Sequence, residues 1–132
     1  MLQLGAHAEG RALDLRYMAG ELVMLDIGQS DLVTSMEVIE HVADKRAFVA
    51  ALAARLAPGG VLILSTPNRT AKSRLMLVEG AETLGLIPRG THHWEDFVTP
   101  QELGELLAEA GLSVGATRGI AFTPSKGLHL SD

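Results

Sequence analysis

The sequence predicts an α/β domain built on a parallel sheet, and three observations carry the prediction. Short apolar runs end in polar turns, over residues 31–36 and again over residues 61–66. Between them Phe48, Leu52 and Leu56 recur every four residues, the spacing of one helical face. Beyond them Thr99-Pro100-Gln101-Glu102 opens a second helical pattern. Strand, helix, strand and helix in alternation are the pattern of a parallel sheet covered by its connecting helices.

From the N-terminus, residues 2–12 read as the end of a helix closing at Gly10. Residues 13–18 alternate apolar and polar, as a half-buried strand would. Residues 21–27 are apolar but too short for periodicity to assign a type. Residues 31–36 read as a buried strand running into a turn over 37–42. Asp44 is placed to cap the next helix, with Val49 and Ala53 beside the Phe48 stripe. Pro58-Gly59-Gly60 is expected to stop that helix, because proline cannot continue the ladder and glycine accepts positive φ. Residues 61–66 form a run of the kind found in a strand covered on both faces. Thr99 and Glu102 then make a capping box, with Pro100 at the first helical position. Leu103, Leu106, Leu107 and Ala110 face one way, and Gly111 ends the helix. Residues 113–122 supply a last strand.

A chain of 132 residues suits a single domain over its whole length, large enough to bury about two-thirds of its unfolded surface. The 47% apolar and 20% charged residues are those of a globular protein. A net charge of -5 argues against DNA or RNA as the partner. With no cysteine, disulfides, thiolate metal sites and a thiol nucleophile are excluded. No apolar run approaches the roughly 20 residues of a membrane span. Met1-Leu2-Gln3-Leu4 lacks the basic region of a secretory leader. The expectation is a soluble cytoplasmic protein, with peripheral contact at the inner membrane left open.

Chemistry concentrates in Thr34-Ser35-Met36-Glu37-Val38-Ile39-Glu40-His41-Val42. Glu37, Glu40 and His41 stand at i, i+3 and i+4, so a helical turn would project all three from one face. Open α/β sheets bind ligands outside the carboxyl ends of their strands, and this turn lies at such an end. Two carboxylates and an imidazole could hold a divalent ion such as Mg²⁺, or a general base near neutral pH. The plainer reading has the carboxylates favouring a helix N-terminus and His41 capping or packing. By contrast, Val23-Met24-Leu25-Asp26-Ile27-Gly28 only imitates a nucleotide-binding strand. Gln29 and Ser30 follow where further glycines would permit close backbone approach to a phosphate.

The Met36–His41 turn resembles class I S-adenosylmethionine-dependent methyltransferases, together with Ala57-Pro58-Gly59-Gly60 and the run 61–66. Ser65-Thr66-Pro67-Asn68-Arg69, Lys72-Ser73, Gly80-Ala81-Glu82 and Pro88-Arg89-Gly90-Thr91-His92 narrow the resemblance to the ubiquinone-pathway O-methyltransferases. So do Phe97-Val98-Thr99-Pro100 with Leu103, and Gly119 through Phe122-Thr123-Pro124. The resemblance implies a Rossmann-like sheet and methylation of phenolic hydroxyls on polyprenylated quinone precursors, with S-adenosylmethionine as donor. It places Met36 against the cofactor and Glu37, Glu40 and His41 at positions assigned to Mg²⁺ in related members. Glu40 and His41 are the candidate catalytic pair.

Against that family the chain lacks the glycine-rich loop and the acidic residue that binds the ribose hydroxyls. The central nucleotide-binding strand, the second strand and the last strand are also expected to be missing. An incomplete sheet would expose edges and apolar faces. The chain is then a fragment or remnant, or else a second copy or sister subunit completes the fold. The stretch 68–94 adds a basic-apolar arm. Arg69, Lys72 and Arg74 stand at the start of an expected helix, against the helix dipole. One reading is a flap that touches anionic lipid and admits a greasy substrate; the other is an ordinary insertion with solvated basic residues. His92 and His93 have no ligand spacing characteristic of a metal site. The leading function is therefore phenol O-methylation in ubiquinone synthesis. The rival is a non-catalytic methyltransferase remnant that binds membrane or a partner.

Overall fold

A computed structural model describes residues 14–68 and 96–131. Strand β1 (Ser30–Met36) and strand β2 (Leu56–Ser65) pair in parallel, with helix α1 (Lys45–Ala54) between them in sequence. Helix α2 (Pro100–Glu109) follows, and then strands β3 (Gly119–Thr123) and β4 (Gly127–Ser131). These last two form a separate antiparallel hairpin. Short 3-10 turns occupy Leu22–Met24 and Ile39–His41.

Helix α1 begins where Asp44 accepts the Ala47 amide at 2.9 Å, the cap its sequence position foretells. It ends before the proline. Leu56, the last residue of the four-spaced stripe, is buried but belongs to β2. The Ala57-Pro58-Gly59-Gly60 segment is a bulge inside that strand rather than a helix stop. Ser30 pairs with Leu56 and Leu32 already with Val61, so β2 runs ahead of β1 through the bulge. Gly59 takes φ +78, and a Cβ on Gly60 would lie 2.9 Å from the Ala57 carbonyl oxygen.

Helix α2 carries the expected capping box. Thr99 Oγ1 accepts the Glu102 amide at 3.2 Å, and a Glu102 carboxylate oxygen accepts the Thr99 amide at 2.8 Å. Leu103, Leu106, Leu107 and Ala110 pack on a core of Ile39, Val49 and Val98, which Val42, Phe48 and Leu64 complete. Gly111 ends the helix at φ +82. A parallel bridge between Asn68 and Val98 ties the start of α2 to the end of β2. Arg55 secures the opposite end of α1 by donating to the carbonyls of Leu22 (3.3 Å) and Leu25 (2.6 Å).

Three expectations change. Residues 61–66 were expected to be covered on both faces, yet Val61 is 55% and Ile63 49% exposed. Those side chains share a bare face with Leu32, Thr34 and Met36, while the alternate residues turn toward the helices. Residues 14–18 form no strand. Leu15, Tyr17 and Met18 are exposed, because among the described residues no neighbouring strand pairs with this segment. The strand expected over 113–122 begins only at Gly119, and it acquires a partner, β4, where no further strand was foreseen. Ile120, Phe122, Leu128 and Leu130 stand opposite one another on one open face of that hairpin. The helix expected over 2–12 and the arm over 69–95 lie outside the described residues.

Candidate active site at the carboxyl end of the sheet

The carboxyl ends of β1 and β2 lie side by side, with Met36 opposite Ser65. Immediately after Met36 the chain turns sharply. Glu37 adopts φ +54, the left-handed region, which costs a non-glycine residue about 1–2 kcal/mol. Three hydrogen bonds from one residue offset that cost. The Glu37 amide donates to the Ser65 carbonyl at 3.0 Å and to Ser65 Oγ at 3.2 Å. Ser65 Oγ in turn donates to Glu37 Oε1 at 2.7 Å.

The turn then tightens into Ile39–His41. Ile39 is fully buried and anchors the turn in the core. Glu40 is 3% exposed, an unusual place for a carboxylate. Its Oε2 accepts a hydrogen bond from Thr66 Oγ1 at 3.1 Å, and its Oε1 lies 3.7 Å from His41 Nε2. The His41 side chain is half exposed, so the pair is a buried acid beside an accessible imidazole.

Of the residues singled out in the sequence, Glu40 and His41 are brought together, and Met36 ends β1 on the bare face, just before the turn that carries them. Glu37 is not on a shared helical face with the other two. Its left-handed φ places it before the 3-10 turn, and its carboxylate is engaged by Ser65. Among the described residues no three histidine, aspartate or glutamate side chains converge on a point that could hold a metal ion. Ser65 and Thr66 are functional candidates that the reading of single residues passed over. The available signal was two hydroxyls closing the apolar run 61–64 at a strand's carboxyl end.

A cleft of about 560 Å³ opens beside the turn. Leu22, Val23, Val38, Val42, Phe48 and Ala51 supply its apolar lining. Gly20 and the Leu22–Met24 turn form the wall opposite α1.

A family model described as a methyltransferase domain matches residues 9–116. The chain belongs to this methyltransferase family. It is 45% identical to a ubiquinone biosynthesis O-methyltransferase of Methylobacterium sp. (strain 4-46), over 92% of the chain and 50% of that protein. Proteins of the same name from Dinoroseobacter shibae and Paramagnetospirillum magneticum are 42% and 44% identical. The matches take in 98% and 89% of this chain, and 53% and 48% of those relatives. The chain thus spans about half the length of the curated relatives it matches.

Membership implies S-adenosylmethionine as the family's methyl donor. At the carboxyl end of the sheet Met36 is 53% exposed, presenting an apolar thioether. No helix among the described residues is long and apolar enough to cross a membrane.

Proposed function

We propose that this chain serves S-adenosylmethionine-dependent O-methylation of a phenolic hydroxyl on a polyprenylated quinone precursor. The observation that carries the reading is the buried Glu40 carboxylate beside the accessible His41 imidazole, at the strand ends where Met36 is exposed. The relatives' shared name supports ubiquinone synthesis as the setting.

When bound, S-adenosylmethionine supplies a methyl group activated by its sulfonium. Met36 offers an apolar surface for the cofactor. His41 would accept the phenol's proton as the oxygen takes the methyl group and S-adenosylhomocysteine leaves, and the Glu40 carboxylate, 3.7 Å from its Nε2, would hold the ring in place. Holding both reactants in line supplies much of the rate, as in other two-substrate transfers. The apolar cleft beside Val38 and Val42 is the place we assign to the substrate's isoprenoid tail. Arg69, Lys72 and Arg74 would bring the protein to anionic lipid, where such substrates reside.

The test is calorimetric titration with S-adenosylmethionine, followed by transfer of a labelled methyl group to a farnesylated catechol. Micromolar binding and label in the organic phase are the expected results. Absence of binding by the folded protein refutes the reading. A second reading, a partner-binding module without catalysis, draws on the bare apolar face of Leu32, Met36, Val61 and Ile63. Under that reading the protein associates with a partner and still leaves the catechol unmethylated.

A further inference from the structure

We propose that Ser65 and Thr66 are positioning residues, whose hydroxyls at the end of β2 set the carboxylates of Glu37 and Glu40 and so aim His41. What the carboxylates are aimed at rests on the methyltransfer reading above; the clamp itself rests on geometry alone.

The two hydroxyls come from consecutive residues that leave the sheet together, and each takes a different carboxylate. Ser65 Oγ reaches Glu37 Oε1 at 2.7 Å and also lies 3.2 Å from the Glu37 amide. It therefore grips both ends of a residue held at φ +54. Thr66 Oγ1 reaches Glu40 Oε2 at 3.1 Å. That bond fixes the rotation of the buried carboxyl group and turns Oε1 toward His41 Nε2. A turn built for stability alone would carry glycine at a left-handed position and an apolar side chain at a buried one. Here both positions carry glutamate, and the last residue of β2 and the one after it supply one hydroxyl for each. Backbone strain and an interior carboxylate occur together at the strand ends where open α/β sheets bind ligands.

The clamp separates from ordinary packing in its kinetic signature. Thr66→Val keeps the shape of the side chain and removes the hydroxyl. Its kcat should fall about tenfold or more, since small misplacements of a reacting group have effects of that order. KM for S-adenosylmethionine should stay within about twofold, because the Met36 surface is untouched. Thr66→Ser restores the hydroxyl and should return kcat to near the starting value. Ser65→Ala should act in the same direction but less, since the Glu37 amide keeps its 3.0 Å bond to the Ser65 carbonyl. This milder variant serves if Thr66→Val fails to fold.

Unchanged kcat in both hydroxyl deletions would overturn the proposal, and so would failure of Thr66→Ser to restore it. If the wild-type protein transfers no methyl group, the methyltransfer reading fails by itself. The clamp is then decided by carboxyl carbon resonances in glutamate-labelled protein. Thr66→Val should displace the Glu40 signal and Ser65→Ala the Glu37 signal. Signals that do not move would overturn the clamp.

Discussion

Replacing Gly60 by alanine tests the idea that the bulge in β2, rather than a helix stop, sets the register at the site. A Cβ there would sit 2.9 Å from the Ala57 carbonyl oxygen and 3.2 Å from the carbonyl oxygens of Ser30 and Asp31. All three neighbours are backbone, and two belong to the paired strand, so none can rotate away as a side chain would. Alanine restricts the unfolded chain, a gain of about 0.4–1 kcal/mol. Forcing a methyl group against fixed atoms costs about 1–3 kcal/mol. The balance is a net destabilisation of about 1–2 kcal/mol. Urea unfolding followed by circular dichroism reads it as a lower midpoint at unchanged slope. A Gly60→Ala protein as stable as wild type would mean that the two strands do not approach at Gly60, and the register built on that approach would fall.

Gly104 lies inside α2 with nothing within 4 Å of an added Cβ, so Gly104→Ala should stabilise the protein by about 0.5–1 kcal/mol in the same assay. Thr99→Ala removes the hydroxyl half of the capping box and should cost about 1 kcal/mol; Thr99→Ser should recover most of it. Met36→Ala should weaken S-adenosylmethionine binding about tenfold by calorimetry, the equivalent of losing about 1.4 kcal/mol of apolar contact. Its unfolding midpoint should hardly move, because Met36 is half exposed. Neutralising Lys72 and Arg74 should reduce sedimentation with phosphatidylserine vesicles about 30-fold at low salt, at about 1 kcal/mol per charge. Equal sedimentation of wild type and variant would remove the lipid-contact reading of the arm.

What could be read from the sequence is what local chemistry determines. The capping box at Thr99 and Glu102, and the Leu103, Leu106 and Leu107 stripe, specify α2 within a few residues, and the structure reproduces them. Asp44 likewise announces the start of α1. The far end of α1 was misread because Leu56 continues the stripe and is buried, yet its burial is in a strand. Proline and two glycines look alike as a helix stop or a strand bulge. Only the carbonyls of Ser30 and Asp31, more than twenty residues upstream, decide between them. Coverage of the sheet was misjudged for a related reason. An apolar run records a preference for burial, but whether a second layer lies over Val61 and Ile63 depends on elements the run does not contain.

The site divides along the same line. Adjacency in sequence brought Glu40 and His41 together, as their spacing suggested. The placement of all three ionisable residues on one face failed because it assumed regular helical backbone through residue 37. What diverts that residue is the serine across the strand, which receives the amide and donates to the carboxylate. The same strand end holds Glu40 in the interior through Thr66. A strained glutamate and a buried one are each costly alone, and neither is explained by the turn that contains it. Set against the hydroxyls of Ser65 and Thr66, they become halves of one arrangement. The geometry of this turn therefore depends on Ser65 and Thr66 as much as on the residues between Met36 and His41.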